Sequence, residues 1–343
     1  MERNEQILYA IVNNYILTAL PVSSKVITKR YRINLCPASV RNIMADLEEK
    51  GYLTQPHKSA GRIPTDKGLR FYVDGMLKLK KLNKSERDDI KQRYKCPLEM
   101  KGVMERTSKV LSLLSQYMGI VLAPRINNIA IRHIKFIRLR PGYILVVLIS
   151  ASGMVYNKIV NIEDNLSQTD LDRMSAYLNR IASKLPFAQI KAKVLEEIKK
   201  EKVFYDRLFS KALEIGHKAM KETEDKGDIY IDGRLNMLEQ FGADNIEIMK
   251  DLFKAFEEKG ILVKILDRSL KAQGVQAFIG TENEFSEVKS CSIVVAPYGL
   301  GGCSMGTLGV LGPKNMNYAK VIPLVSYTAK LVGELLTKEG VVY

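Results

Sequence analysis

Cysteine and histidine are scarce in this chain. Four cysteines (Cys36, Cys96, Cys291, Cys303) and three histidines are scattered through 343 residues with no C-x-x-C pair. That spacing argues against a structural zinc site and fits a reduced, cytoplasmic setting. No apolar run reaches the length of a membrane span; the longest, Tyr143–Ser150 and Ile261–Leu266, are strand-sized. The opening MERNEQILYA has no signal-peptide core, so export is not expected. Internal repeats and low-complexity tracts are absent.

Catalytic constellations are lacking too. The G-x-S-x-G match at Gly302–Gly306 lies in the glycine-rich strand region and not at a strand-to-helix elbow, so no serine sits in a nucleophile elbow. His133 lies in a strand pattern beside Arg132 and Lys135, and His217 in a helical one. Glu163-Asp164 and Glu196-Glu197 are adjacent pairs in solvated contexts, not acids facing across a cleft. The glycine-rich segment GLGGCSMGTLG (299–309) has no lysine after Gly306, and Ser304 stands where a dinucleotide fingerprint needs its third glycine. Glycine there reads as close backbone packing in a strand and turn. Neither an enzyme nor a cofactor is expected.

What the chain has is positive charge, unevenly placed. The net charge is +15, and residues 1–82 alone hold fourteen Lys/Arg against seven Asp/Glu. The N-terminal quarter is thus about three times denser in excess positive charge than the rest, a field that attracts polyanions.

This excess surrounds residues 36–72. Val40, Ile43, Met44 and Leu47 recur at i, i+3, i+4 and i+7, one buried stripe of a helix that Pro37 can start and Gly51 can stop. Ser39, Arg41 and Asn42 are left on the other faces. Arg and Asn are the side chains best shaped for paired hydrogen bonds to guanine and adenine edges. Two short helices precede it, over residues 5–18 and from a Ser23 cap to about Tyr31, with Val26 and Ile27 inward. A hairpin follows: strand 52–55, turn 57–61, return strand 62–63. His57, Lys58, Ser59, Gly61 and Arg62 cluster at its tip, where small residues allow close approach to a polyanion and Lys58 and Arg62 carry charge. Thr65 can cap a fourth helix, from which Lys67 and Arg70 extend the patch. The order amounts to a helix for the major groove and a flanking wing for the sugar–phosphate backbone.

Residues 81–102 are charged and weakly patterned and read as a linker, followed by a helix over 103–118. Strands at 131–139, 143–150 and 154–160 form an antiparallel meander, and a helix returns over 170–185. Residues 187–226 are lysine-rich and helical by propensity, an insertion. Strands are expected at 228–231, 261–266, 275–280 and 290–296, a glycine-rich strand region at 299–311, helices at 245–259 and 316–337. Six or so strands on a single sheet flanked by helices make an α+β domain in two parts, 103–186 and 227–343, behind an N-terminal unit of residues 1–80.

The segments IVNNYI…PVSS, ASVRNIMADLEEKGYLTQPHKSAGRIPTDKGLRFYVD (38–74) and GTLGVLGPKNMNYAKVIPLV (306–325) resemble the bacterial heat-inducible transcription repressor family, HrcA. The stretch Ser59–Thr65 is the most specific part. The resemblance implies a winged helix-turn-helix domain and a GAF-like domain into which a helical dimerisation domain is inserted. It further implies repression of chaperone operons by a homodimer on an inverted-repeat operator of double-stranded DNA, with a GroEL-type chaperonin keeping the repressor active. Three positions depart from the family: Ser23 stands for the usual glycine, and Cys36-Pro37 for a pair of serines, which weakens the capping argument at Cys36. A different reading keeps the winged helix and makes the α+β domain a pocket for a small effector. An RNA-binding or membrane-surface role has no stacking aromatics or cationic anchor behind it.

Overall fold

The computed structural model describes residues 3–31, 34–57, 60–77, 82–94, 100–124, 131–150, 155–162, 166–182, 189–190, 193, 196, 211–216, 228–241, 250, 252, 254, 259–270, 272, 274–300 and 303–338. The N-terminal unit opens with α1 (Arg3–Thr18), α2 (Ser24–Tyr31) and α3 (Pro37–Glu49). Ile7, Leu8, Ile11 and Val12 of α1 and Val40, Met44 and Leu47 of α3 are buried against one another with Ile27 of α2. Val26 is 41% exposed, so only Ile27 serves as the inward side of α2. Ser23 caps α2 through its hydroxyl, which accepts the Val26 N–H at 3.4 Å. Thr65 does the same for Gly68 at 3.2 Å, opening α4 (Asp66–Leu77). Between α3 and α4 runs the hairpin of β1 (Leu53–Thr54) and β2 (Ile63–Pro64), antiparallel with Leu53 opposite Pro64.

The segment read as a linker instead contains α5 (Lys84–Gln92). Its apolar pattern is thin because only Ile90 and Tyr94 anchor it, both buried. A capping box compensates: Asn83 accepts from Glu86 N–H and Glu86 accepts from Asn83 N–H, each at 2.8 Å. The next helix, α6 (Met100–Ser115), stops three residues before Met118, because Gln116 takes a left-handed φ of 65°. That break releases β3 (Met118–Leu122), a strand buried along its whole length and not anticipated from the sequence.

The strands form two sheets rather than the expected single one. Three antiparallel strands, β4 (Ile131–Arg140), β5 (Tyr143–Ser150) and β6 (Val155–Asn161), pair in that order. Their inner face, Ile134, Phe136, Val146 and Leu148, packs beneath Leu171, Met174 and Leu178 of α7 (Gln168–Ala182), and Ile190, Ala212, Leu213 and Ile215 join the same core. α7 also satisfies the backbone of the β4 edge. Asn179 accepts from Ile134 N–H at 2.7 Å and donates to its carbonyl at 2.8 Å, and Ser175 accepts from Phe136 N–H at 3.0 Å. Covering an edge in this way removes a template for unwanted pairing. β4–β6 and α7 thus share a core separate from that of the remaining strands, within what the sequence assigned to the first part of the α+β domain. Most of 187–226, and most of the helix expected at 245–259, lie outside the described residues.

The second sheet has five strands in the order β7 (Ile229–Asp232), β3, β10 (Cys303–Pro313), β9 (Cys291–Leu300) and β8 (Gln276–Ile279), every neighbouring pair antiparallel. Between β7 and β8 come α8 (Arg234–Phe241) and α9 (Lys259–Ser269). The run Ile261–Leu266, expected as a strand, lies within α9. A short apolar run does not distinguish the two states, and here Leu262, Ile265, Leu266 and Ser269 fall at helical spacing and are buried. α10 (Tyr318–Lys338) lies along β9 and buries Tyr318, Val321, Ile322, Val325, Val332 and Leu336 as its periodicity required. It runs through Pro323, which lacks the N–H that the Ala319 carbonyl would accept from. In β10, a Cβ at Gly309 would lie 2.5 Å from the Val294 carbonyl, so the glycine-rich segment serves strand packing.

Candidate nucleic-acid interface

α3 begins at Cys36, in extended conformation (φ −71°, ψ 156°), with Pro37 in the first turn. The sulfur performs the cap that a serine hydroxyl would: Sγ accepts from Ser39 N–H at 3.5 Å and lies 3.2 Å from Ser39 Oγ. These bonds from Ser39 hold the exposed thiol below its ordinary pKa. Beyond the cap, Arg41 and Asn42 are exposed, and neither side chain has a hydrogen bond or ion pair to another of the described residues. Ser39 is half-buried. Two side chains with five N–H donors and a paired amide are thus presented on one exposed helical surface.

The hairpin turns beside them. Ala60 N–H donates to the His57 carbonyl at 2.8 Å, and Gln55 donates to the Ala60 carbonyl at 2.9 Å, which closes the tip. His57 is exposed; Lys58 and Ser59 lie outside the described residues. Val22 and Arg62 exchange both backbone hydrogen bonds at 2.9 Å, so the segment before α2 adds a third short edge to the hairpin. The close approach that Gly61 permits is to Val22: a Cβ there would stand 2.5 Å from that residue's carbonyl carbon and oxygen. Its small size has a structural cause within the N-terminal unit.

The remaining described cations of the expected patch bond to groups of the protein itself, Arg62 and Arg70 half-buried and Lys67 still exposed. Arg62, with a side chain 17% exposed, donates from Nε to Glu48 of α3 at 2.8 Å and bonds it again through a terminal nitrogen. Lys67 Nζ donates to the Lys50 carbonyl at 2.9 Å, over the Tyr52 ring at 4.4 Å. A cation at that point satisfies an orphan carbonyl at the C-terminus of α3. Arg70 turns away from the hairpin altogether and meets Glu282, Asp74 and the Ala277 carbonyl. Sequence reasoning placed these three residues by charge. The signal that distinguishes them is the acid or carbonyl each one meets, and Glu282 is more than 200 positions away from Arg70.

Elsewhere, two open grooves line α5 and α10. One, of about 470 Å³, is bounded by Lys84, Arg87, Asp88, Lys91, Lys330 and Glu334 above Tyr327 and Leu331. The other, of about 330 Å³, runs past Glu86, Lys320 and Pro323. Among the described residues, no helix is long and apolar enough to cross a membrane.

Residues 101–322 match the family model described as HrcA protein C terminal domain. The heat-inducible transcription repressor HrcA of Geobacter sulfurreducens is 47% identical over 98% of this chain and 98% of its own. That of Syntrophobacter fumaroxidans is 41% identical over 99% and 98%. A solved crystal structure described only as a hypothetical protein superposes with a TM-score of 0.63 at 23% identity, covering 98% of each chain, and shares the fold. Relatedness over nearly the full length, with a family model spanning most of it, places this chain in the HrcA family of heat-inducible transcription repressors.

Proposed function

We propose that the chain represses chaperone operons by reading an inverted-repeat operator as a homodimer. In this reading the N-terminal unit is a winged helix: α3 enters the major groove and the hairpin tip lies on the backbone. Arg41 reads a guanine edge or holds a phosphate, Asn42 an adenine edge or a phosphate, and Ser39 a phosphate at the start of the helix. The observation that carries this is the contrast among the basic residues. Arg41 is exposed beside Asn42 and has no side-chain partner among the described residues, while Arg62, Lys67 and Arg70 bond to the protein itself. His57, Lys58, Ser59 and Gly61 are the proposed backbone contacts, Lys58 supplying the charge. Arg62 and Lys67 support the surface, and Arg70 is not counted among the contacts.

An inverted repeat needs a two-fold protein. The inserted unit around β4–β6 and α7, with its own core, is the proposed dimerisation element, and the five-stranded sheet with its helices the GAF-like body. A GroEL-type chaperonin keeps the repressor competent, so that unfolded clients relieve repression by occupying it. The small-effector reading calls for an enclosed apolar cavity. The two grooves along α5 and α10 are open, the first bounded mainly by charged side chains and the second by a mixture of polar and apolar ones, a poor match.

Footprinting on an inverted repeat upstream of a chaperone operon tests the proposal. Arg41→Ala and Asn42→Ala should each lose protection while melting at the wild-type temperature. Equal protection by all three proteins overturns it. Affinity should also fall steeply with salt, with a log–log slope of about −0.9 per phosphate contact. For the chaperonin, operator affinity lost on mild heating should return when it is added; equal recovery without it removes that part.

A further inference from the structure

α4 is gripped at its first two turns by the α+β body. Asp66 Oδ1 accepts from Lys314 Nζ at 2.8 Å, and Oδ2 accepts from both the N–H and the hydroxyl of Thr281 at 2.9 Å. One turn on, Arg70 Nε donates to Glu282 at 2.7 Å, a terminal nitrogen bonds Glu282 and the Ala277 carbonyl, and the other bonds Asp74 at 3.3 Å. The side chains of Asp66, Lys314, Arg70 and Glu282 are 20–32% exposed, so these are partly desolvated pairs and not loose surface ones.

The body side is built to receive them. Gly280 has φ +54°, and a Cβ there would lie 2.2–2.5 Å from the three carboxylate atoms of Asp66. Glu282 is fixed by the Ile279 N–H at 2.8 Å. The Lys314 carbonyl is held by the Tyr318 hydroxyl at 2.7 Å, which also bonds Ser292. The charges are ordered: α4 offers an acid and then a base four residues on, and the body offers Lys314 to the first and Glu282 to the second. A slip of one helical turn would bring Arg70 towards Lys314, or Asp66 towards Glu282. Such like-charge juxtaposition selects a single orientation.

We propose that Asp66, Arg70, Glu282 and Lys314 are positioning residues that fix the angle of the DNA-reading unit on the body, and through it the half-site spacing that the dimer accepts. This rests on the operator reading above. Apolar contact holds the two parts together, and the ordered charges choose how they face. Direct contact with bases is left to α3, which the clamp does not cover: Arg41 and Asn42 stay exposed while it is closed.

The test uses the full chain and three variants: Asp66→Lys, Lys314→Asp, and the two together. Hydrogen exchange reports the clamp without DNA. Each single reversal should speed exchange of the α4 amides, and the double reversal should restore protection. Affinity is then measured on inverted repeats whose spacer grows by one base pair at a time. Wild type should favour one spacing by roughly tenfold, the single reversals should flatten that preference to within about threefold, and the double should recover it. Faster exchange with an unchanged spacing preference overturns the proposal, and so does unchanged exchange in both single reversals. A wild type that binds no inverted repeat at any spacing overturns the operator reading and the spacing claim with it; the exchange result then still decides whether the clamp exists.

Discussion

Arg62 of the hairpin is bound to Glu48 of α3 through two guanidinium nitrogens, each at 2.8 Å from one carboxylate oxygen. The pair joins the wing to the helix it flanks. Removing either partner leaves a partly buried charge uncompensated, so a double-mutant cycle of Arg62→Ala and Glu48→Ala in thermal unfolding should return a coupling of about 1–2 kcal/mol. A coupling near zero would mean that the two elements are held by packing alone. Loss of operator binding in Arg62→Ala would then have to be read against the melting temperature.

Gly61→Ala should destabilise the N-terminal unit by about 1–3 kcal/mol, because the new methyl would have to displace the Val22 backbone. Differential scanning calorimetry checks this. A variant that melts with wild type but binds DNA poorly would return Gly61 to the interface.

Asp66 gives a pH dependence. Burial raises its pKa, but the Lys314 ammonium and the N–H and hydroxyl of Thr281 outweigh that and leave it below the ordinary 3.8. Arg70, one turn on along α4, and its partner Glu282 are the other charges of the clamp. A depressed carboxylate stabilises the fold above its unfolded pKa, and the contribution fades as pH falls through the folded one. The stability gap between wild type and Asp66→Asn should therefore be full at pH 7 and close at acid pH, below 3.8. A gap that stays constant well below pH 3.8, where the folded carboxyl itself takes up its proton, would show that the carboxylate charge contributes nothing.

Cys36 caps α3 with a weak acceptor. Replacing it by serine should preserve or raise the melting temperature, and replacing it by alanine should lower it. Equal melting of Cys36→Ser and Cys36→Ala would show the sulfur contacts to be idle.

Local rules carried much of the fold. Ser23 and Thr65 cap where their position before an apolar stripe predicted, Pro37 opens α3, and the β4–β6 meander follows alternation and turn residues. The errors arose where local information is ambiguous or thin. Ile261–Leu266 has no periodicity to choose helix over strand. α5 rests on two apolar anchors and a cap, and β3 follows a helix with no proline or glycine to announce the break. The site divides along the same line. Exposure of Arg41 and Asn42 followed from a helical stripe read within thirteen residues. The fates of Arg62, Lys67 and Arg70 depended on Glu48, Lys50 and Glu282, contacts that exist only after the chain has folded. A cation count cannot distinguish a phosphate ligand from a tie within the protein.

Asp66 and Lys67 are neighbours in the chain, yet one binds the body at Lys314 and the other the tail of α3 at the Lys50 carbonyl. A torque applied at either end thus has a single peptide unit to cross. Any strain put on α3 would be felt at the sheet, and any distortion of the sheet would be felt at α3.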